Sequence, residues 1–156
     1  MVSECGDRLR LVAYDEIYLR HSAVWLRDPE IRLLTATPEF TDEEQRAFFH
    51  SLAGRDDYRI WGVEIDGAPA GAAGIKKING QRGEYWGYLG IKKLWGQGLG
   101  RSMLTGIERE ALALGLTHLD LQVIEINERA RRLYRANLYD EVGRNNDMVV
   151  MTKILG

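Results

Sequence analysis

The stretch Leu94–Leu104, LWGQGLGRSML, carries glycine at positions 96, 98 and 100 and then runs straight into helix-forming sequence. Glycine costs conformational entropy on folding, so this cluster must serve something that only a missing side chain allows. Two uses compete. One is a tight turn; the other is a close approach of successive backbone N–H groups to an anion, assisted by the positive end of the helix behind them.

The flanking sequence sets the context. Downstream, Leu104, Ile107, Ala111 and Leu114 recur at helical spacing, and Gly115 stands where a left-handed C-terminal residue is expected. Leu119, Leu121 and Val123 then alternate as a strand. Upstream, Ile60–Ile65, Ala70–Ile78 and Glu84–Ile91 read as strands separated by the hairpin dipeptides Asp66-Gly67 and Asn79-Gly80, an antiparallel meander. Strand, glycine loop, helix, strand is therefore a crossover joining parallel strands. Nearer the N-terminus, Leu9–Ala13 reads as a strand and Asp15–Arg27 as a helix that buries Leu19 and Trp25 and stops at Asp28-Pro29. Thr41 with Glu44 writes a capping box for a helix from Asp42 toward Gly54. Asn127 is placed to cap a short helix carrying Ala130, Leu133, Tyr134 and Asn137 on one side, and Met148–Ile154 closes as a strand. The expectation is a single domain over 1–156 of α/β (α+β) class. Its sheet is mixed and mostly antiparallel, of about six or seven strands with a central parallel pair and about four flanking helices.

Composition excludes several classes. With 156 residues, 45% hydrophobic and 28% charged, the chain supports one core and no second domain. A net charge of −2 argues against nucleic-acid and polybasic membrane partners. There is no apolar run of spanning length and no signal-peptide pattern, and the single Cys5 permits no internal disulfide, which fits the cytoplasm. His21, His50 and His118 lack metal-ligand spacing, so no metal is expected.

The glycine spacing matches neither the dinucleotide fingerprint nor the P-loop. A G-x-G-x-G run between a strand and a helix nonetheless lets the amides from Gly96 to Arg101 form a concave donor array, for which a pyrophosphate is the natural occupant. The WGQGLG loop, the order of elements and Asn127-x-x-Ala130-x-x-x-Tyr134 together resemble the GCN5-related N-acetyltransferases. In that family the loop is written Q/R-x-x-G-x-G/A; Gly98 and Gly100 match, while Trp95 stands at the first position and Leu138-Tyr139 replaces a frequent Gly-Phe. The resemblance implies acetyl-CoA (coenzyme A) as cosubstrate and a parallel strand pair that splays at the cofactor site. It implies cofactor contacts from Leu89, Gly90, Ile91, Trp95, Gly96, Gln97, Gly98, Leu99, Gly100, Arg101, Asn127 and Tyr134.

Asn127 and Tyr134 lie about two turns apart and project to one side of their helix. Attack of an amine on a thioester expels a thiolate, which the Tyr134 phenol is suited to protonate, while a strand amide near Gly90 or Ile91 holds the oxyanion. The amine must first lose a proton. Glu84 is the first candidate base and Glu125 the second, with Tyr88 to position a water. The acceptor is a primary amine. The segments IKKIN, GYLGI and EINERARRLYRANLY resemble enzymes that acetylate a nucleotide-linked 4-amino sugar in pseudaminic-acid synthesis, for which Trp25, Arg27, Arg82, Trp86 and Tyr88 are candidate substrate residues. The Trp95 loop resembles enzymes acting on ribosomal-protein N-termini, so a protein N-terminus is the alternative, and a non-catalytic acyl-CoA sensor a third. The expected state is a cytoplasmic monomer or homodimer.

Overall fold

The computed structural model describes residues 3–4 and 8–156; Cys5 lies outside them. In chain order the elements are β1 (Ser3–Glu4), β2 (Leu9–Ala13), α1 (Glu16–Trp25), α2 (Pro29–Leu34), α3 (Asp42–Ser51), β3 (Arg59–Ile65), β4 (Ala68–Asn79), β5 (Arg82–Leu89), α4 (Leu99–Ala113), β6 (His118–Ile124), α5 (Glu128–Ala136), β7 (Asp140–Asn145) and β8 (Met148–Ile154). The strands form one sheet in the order β1-β2-β3-β4-β5-β6-β8-β7, antiparallel throughout except where β5 lies parallel to β6. The mixed α/β architecture is the one expected.

The first helical region is two helices instead of one. Asp15 caps α1 by accepting from the amides of Ile17 and Tyr18. Asp28 then caps α2 in the same way, with Pro29 at its first position, where a missing N–H costs nothing. Asp28-Pro29 thus stops one helix and starts the next. The Thr41–Glu44 capping box forms in both directions, and α3 ends at Ser51 before a 3-10 turn, Leu52–Gly54. Two strands had no sequence signal: β1 is two residues long, and every residue of β7 is exposed, so no alternation betrays it.

The two faces of the sheet bury different things. On one, α4 lays Leu99, Met103, Leu104, Ile107 and Ala111 against Leu11, Val63, Ile75, Tyr85, Leu119 and Leu121, and Tyr134 of α5 joins that cluster. On the other, Tyr18, Trp25 and Ile31 of α1 and α2 pack with Ala72 and Tyr88, flanked by Trp86. Glycines make room here: a Cβ at Gly62, Gly74 or Gly90 would run into the rings of Tyr18, Trp86 and Trp25 respectively. The two faces communicate at one place, because the β5–β6 ladder runs from Arg82↔His118 only to Tyr85↔Leu121 and then opens.

Candidate active site

Gly96 and Gly98 sit at φ +77° and +79°, the left-handed region, and Gly98 is the N-cap of α4. A Cβ at either would meet nothing within 4 Å, so these two positions need glycine for conformation and not for space. That conformation turns a row of amides outward. Among the described residues, the N–H groups of Gly96, Gln97, Gly98, Leu99, Gly100 and Arg101 have no backbone acceptor, and Ser102 is the first to bond back, to Gly98 C=O. Successive donors without a backbone acceptor at a helix start are able to receive an anion such as a phosphate. The loop is held in place by Gln97, which donates to Lys93 C=O at 2.8 Å and accepts from Arg8 at 3.0 Å.

The opening between β5 and β6 supplies a second set of groups. Gly90 N–H donates to Ala70 C=O at 2.7 Å, which turns Gly90 toward β4. Main-chain groups alternate along an antiparallel ladder, so Tyr88 also faces β4 while Gly87 and Leu89 turn theirs into the gap that β6 leaves. The Trp95 indole donates to Leu89 C=O at 3.0 Å. What remains open in the gap is the N–H of Leu89 and both groups of Gly87. Of the amides expected from sequence to hold the oxyanion, near Gly90 or Ile91, that of Gly90 is occupied, and the neighbouring Leu89 N–H faces the open gap.

Tyr134 lines the cavity that joins these features, about 940 Å³ in volume. Its ring meets Tyr85 edge-on at 6.3 Å and Tyr139 at 5.9 Å. Burial pushes its phenol up to about 12, so it stays protonated across the physiological range. Tyr139 is itself fixed from behind: its hydroxyl donates to Glu108 Oε2 at 2.7 Å, and Glu108 is paired with Lys153 at 3.0 Å. Asn127 lines the cavity too, with its side chain accepting from Ala130 N–H as the cap of α5.

The other sequence candidates divide. Leu89, Trp95, Gly96, Gly100, Asn127, Tyr134, Trp86 and Tyr88 line the cavity. Glu84 does not; it lies between Lys76 at 3.5 Å and Lys77 at 3.7 Å and accepts from Gln122. Glu125 is half exposed and paired with Arg144 at 3.1 Å. Arg27 pairs with Asp42 at 2.8 Å and Arg82 with Asp120 at 2.7 Å, both away from the cavity walls. Trp25 is buried beneath the site, stacked on His21 and packed over Gly90. The arginine run of α5 is mostly a solvated face, with Arg131 and Arg135 on Glu141, although Arg129 lines the cavity and lies 5.9 Å over Trp95. Among the described residues no group of His, Cys, Asp and Glu could hold a metal ion, and no helix is long and apolar enough to cross a membrane.

Sequence reading missed the aromatic wall on the α1 side: Tyr14, Phe40, Phe48 and Tyr58, besides Tyr85 on the other face. It also missed Ser22, whose spacing from Tyr18, Leu19 and Trp25 puts a hydroxyl on the buried stripe of α1.

Residues 23–138 match the family model described as Acetyltransferase (GNAT) family. The chain belongs to that family. It is an acetyl-CoA-dependent N-acetyltransferase. No curated protein matches it in sequence. Among solved structures, a spermidine N-acetyltransferase from Vibrio cholerae in complex with CoA and spermine is similar at 18% identity, covering 96% of both chains with a TM-score of 0.86. An acetyltransferase from Salmonella typhimurium that modifies the N-terminal serine of ribosomal protein L7/L12 is 16% identical over 100% of both, TM-score 0.83. The N-acetyltransferase PseH of Campylobacter jejuni is 18% identical over 96% of this chain and 100% of its own, TM-score 0.73. At these identities the likeness is one of fold, shared by GNAT enzymes with different acceptors.

Proposed function

We propose that this GNAT enzyme acetylates a primary amine carried on a small apolar or aromatic body. The pyrophosphate of acetyl-CoA rests on the amides from Gly96 to Arg101, its pantetheine arm pairs with Gly87 and Leu89 in the strand gap, and Tyr134 protonates the departing thiolate. The amine attacks directly in a ternary complex, entering from the α1 face.

The observation that carries the acceptor is the wall of the cavity on that face. Tyr14, Phe40, Phe48, Tyr58, Trp86 and Tyr88 line it. A sugar nucleotide would need cationic donors for two further phosphates, and the arginines read from sequence for that purpose, Arg27 and Arg82, are held by Asp42 and Asp120 outside the lining. Flat, apolar surface favours a hydrophobic body beside the amine.

Thiol release from acetyl-CoA is the assay, with four acceptor classes: 2-phenylethylamine, UDP- and dTDP-linked 4-amino-4,6-dideoxy sugars, peptides with N-terminal Ala or Ser, and spermidine. The expected order puts the arylalkylamine first in kcat/KM, and Phe48→Ala should lower that value by about 10-fold or more through loss of the ring surface. A higher kcat/KM for the nucleotide sugars, the peptides or spermidine would sink the aromatic acceptor in favour of that class.

A further inference from the structure

We infer that the aromatic body of the acceptor carries a carboxylate at the end remote from its amine, and that Lys76 of β4 holds it. The inference rests on the acceptor reading given above and extends it to the far end of the cavity.

Among the described residues, the charged side chains that line the cavity are Glu30, Glu44, Lys76, Glu128 and Arg129. Four of them are accounted for. Glu30 is paired with Lys92 at 2.9 Å, Glu44 accepts from Thr41 N–H in its capping box, and Glu128 and Arg129 open α5, with Arg129 over Trp95 of the glycine loop. Lys76 stands apart from these on the floor of the sheet. It is opposite Glu84 of β5, as Gly74 is opposite Trp86, so alternation puts Lys76 on the face where Trp86 flanks the α1 cluster. Tyr58, Trp86 and Gln122 line the cavity beside it.

The charge of Lys76 is in surplus. Its ammonium reaches Glu84 only at 3.5 Å, and Glu84 also faces Lys77 at 3.7 Å and accepts from Gln122 at 3.4 Å. The strand itself brings this about: the β4–β5 register shifts between Lys76 and Asn79, and Lys77 takes φ +53° in the left-handed region. A regular strand sends consecutive side chains to opposite faces, whereas this irregularity brings two lysines to one carboxylate. Asp120, beside Glu84 on β6, is taken by Arg82 at 2.7 Å. The Lys76 side chain is 37% exposed against 14% for Glu84, so the open side of the pair is the cationic one. Among apolar walls such a charge attracts an anion more strongly than it would in water. The Lys76 ammonium and the second N–H of the Gln122 carboxamide are the donors at this end, enough for the two oxygens of one carboxylate and too few for a diphosphate. Lys76 is level with Glu84, three residues before Gly87 in the strand gap, or roughly 10 Å along the strand. A phenyl ring with a two-carbon amine arm on one side and a carboxylate on the other spans that separation.

The test measures thiol release from acetyl-CoA with 4-(2-aminoethyl)benzoate, the isosteric 4-(2-aminoethyl)benzamide and 2-phenylethylamine. In the parent enzyme kcat/KM for the acid should exceed that for the amide by about 10-fold or more, a comparison that needs no variant. Lys76→Met should bring the acid-to-amide ratio down to about 1, and Lys76→Arg, which keeps the charge, should retain a preference for the acid. Tm of each variant checks folding; in Lys76→Met the Glu84 carboxylate still has Lys77 and Gln122 beside it. A parent ratio near unity with the amines acetylated would overturn the carboxylate and leave the aromatic acceptor standing. A ratio that survives in Lys76→Met would remove Lys76 from the site. No turnover of any of the three amines would overturn the acceptor reading, and this inference with it.

Discussion

Tyr134 and Leu138 show how two residues of one short segment are fixed by different physics. The Tyr134 hydroxyl takes no hydrogen-bond partner among the described residues, and its ring is braced by Tyr85 and Tyr139. A phenol held in place with its hydroxyl unengaged is what a general acid needs, and Tyr134→Phe should lower kcat by roughly 10-fold or more while CoA affinity by calorimetry stays unchanged. Full activity in that variant would remove Tyr134 from the chemistry. Leu138 is a matter of stability. Both α4 and α5 end in the same Schellman arrangement: Leu116 N–H bonds to Ala111 C=O, and Tyr139 N–H to Tyr134 C=O, each at 3.0 Å. The left-handed residue is Gly115 in the first, at φ +83°, and Leu138 in the second, at φ +73°. Leu138 is also 74% exposed, so its side chain repays little of the steric cost of that conformation. Leu138→Gly should therefore stabilise the protein by about 0.5–1 kcal/mol, raising Tm by about 2 °C in a thermal melt. A lower Tm would mean that Leu138 packs against something that matters.

Among the elements, the glycine loop is the one whose parts separate by experiment. Gly98→Ala places a Cβ in open space but forces an L-residue to φ +79°, so a loss of about 1 kcal/mol is expected with or without CoA. Gly100 has no such demand, and its Cβ would meet only the end of the Leu133 side chain at 3.3 Å. Gly100→Ala should fold normally and keep its CoA affinity. Chemical denaturation of the two variants beside CoA titration checks both, and a Gly98→Ala protein as stable as the parent would show that the loop relaxes to another conformation. This loop, its helix and the hairpins before it are legible in sequence because each is governed by local rules: turn dipeptides, caps and hydrophobic period. Strand β7 was not legible, because an edge strand with both faces exposed carries no pattern.

Across the whole molecule, the tyrosines make stability depend on alkaline pH. Burial raises Tyr14, Tyr58, Tyr85, Tyr88, Tyr134 and Tyr139 above the ordinary phenol value, with Tyr58 and Tyr134 at about 12. In the unfolded chain these phenols ionise near pH 10, so between about pH 10 and 12 the folded state binds more protons than the unfolded one. Their contribution is complete below about pH 10 and is lost as pH rises through the folded values. Tm should fall steeply above pH 10, with tyrosinate absorbance appearing together with loss of near-ultraviolet dichroism. Tyrosinate forming well before unfolding would show that the rings are more accessible than their burial indicates.

What the sequence determined by itself was whatever follows from neighbours along the chain: the capped helices, the hairpins, the crossover, and the spacing that sets Asn127 and Tyr134 on one side of α5. The site needed more. Glu84 and Glu125 looked available because the sequence does not show that Lys76, Lys77 and Arg144 lie beside them. Trp25 looked like a cavity wall because nothing local reveals that its ring covers Gly90. The meeting of Tyr14, Ser22 and Tyr88 joins the end of β2, the middle of α1 and the end of β5. Contacts across such separations are set by how layers pack, and packing is decided by shape and volume in three dimensions, which no periodicity along one dimension encodes.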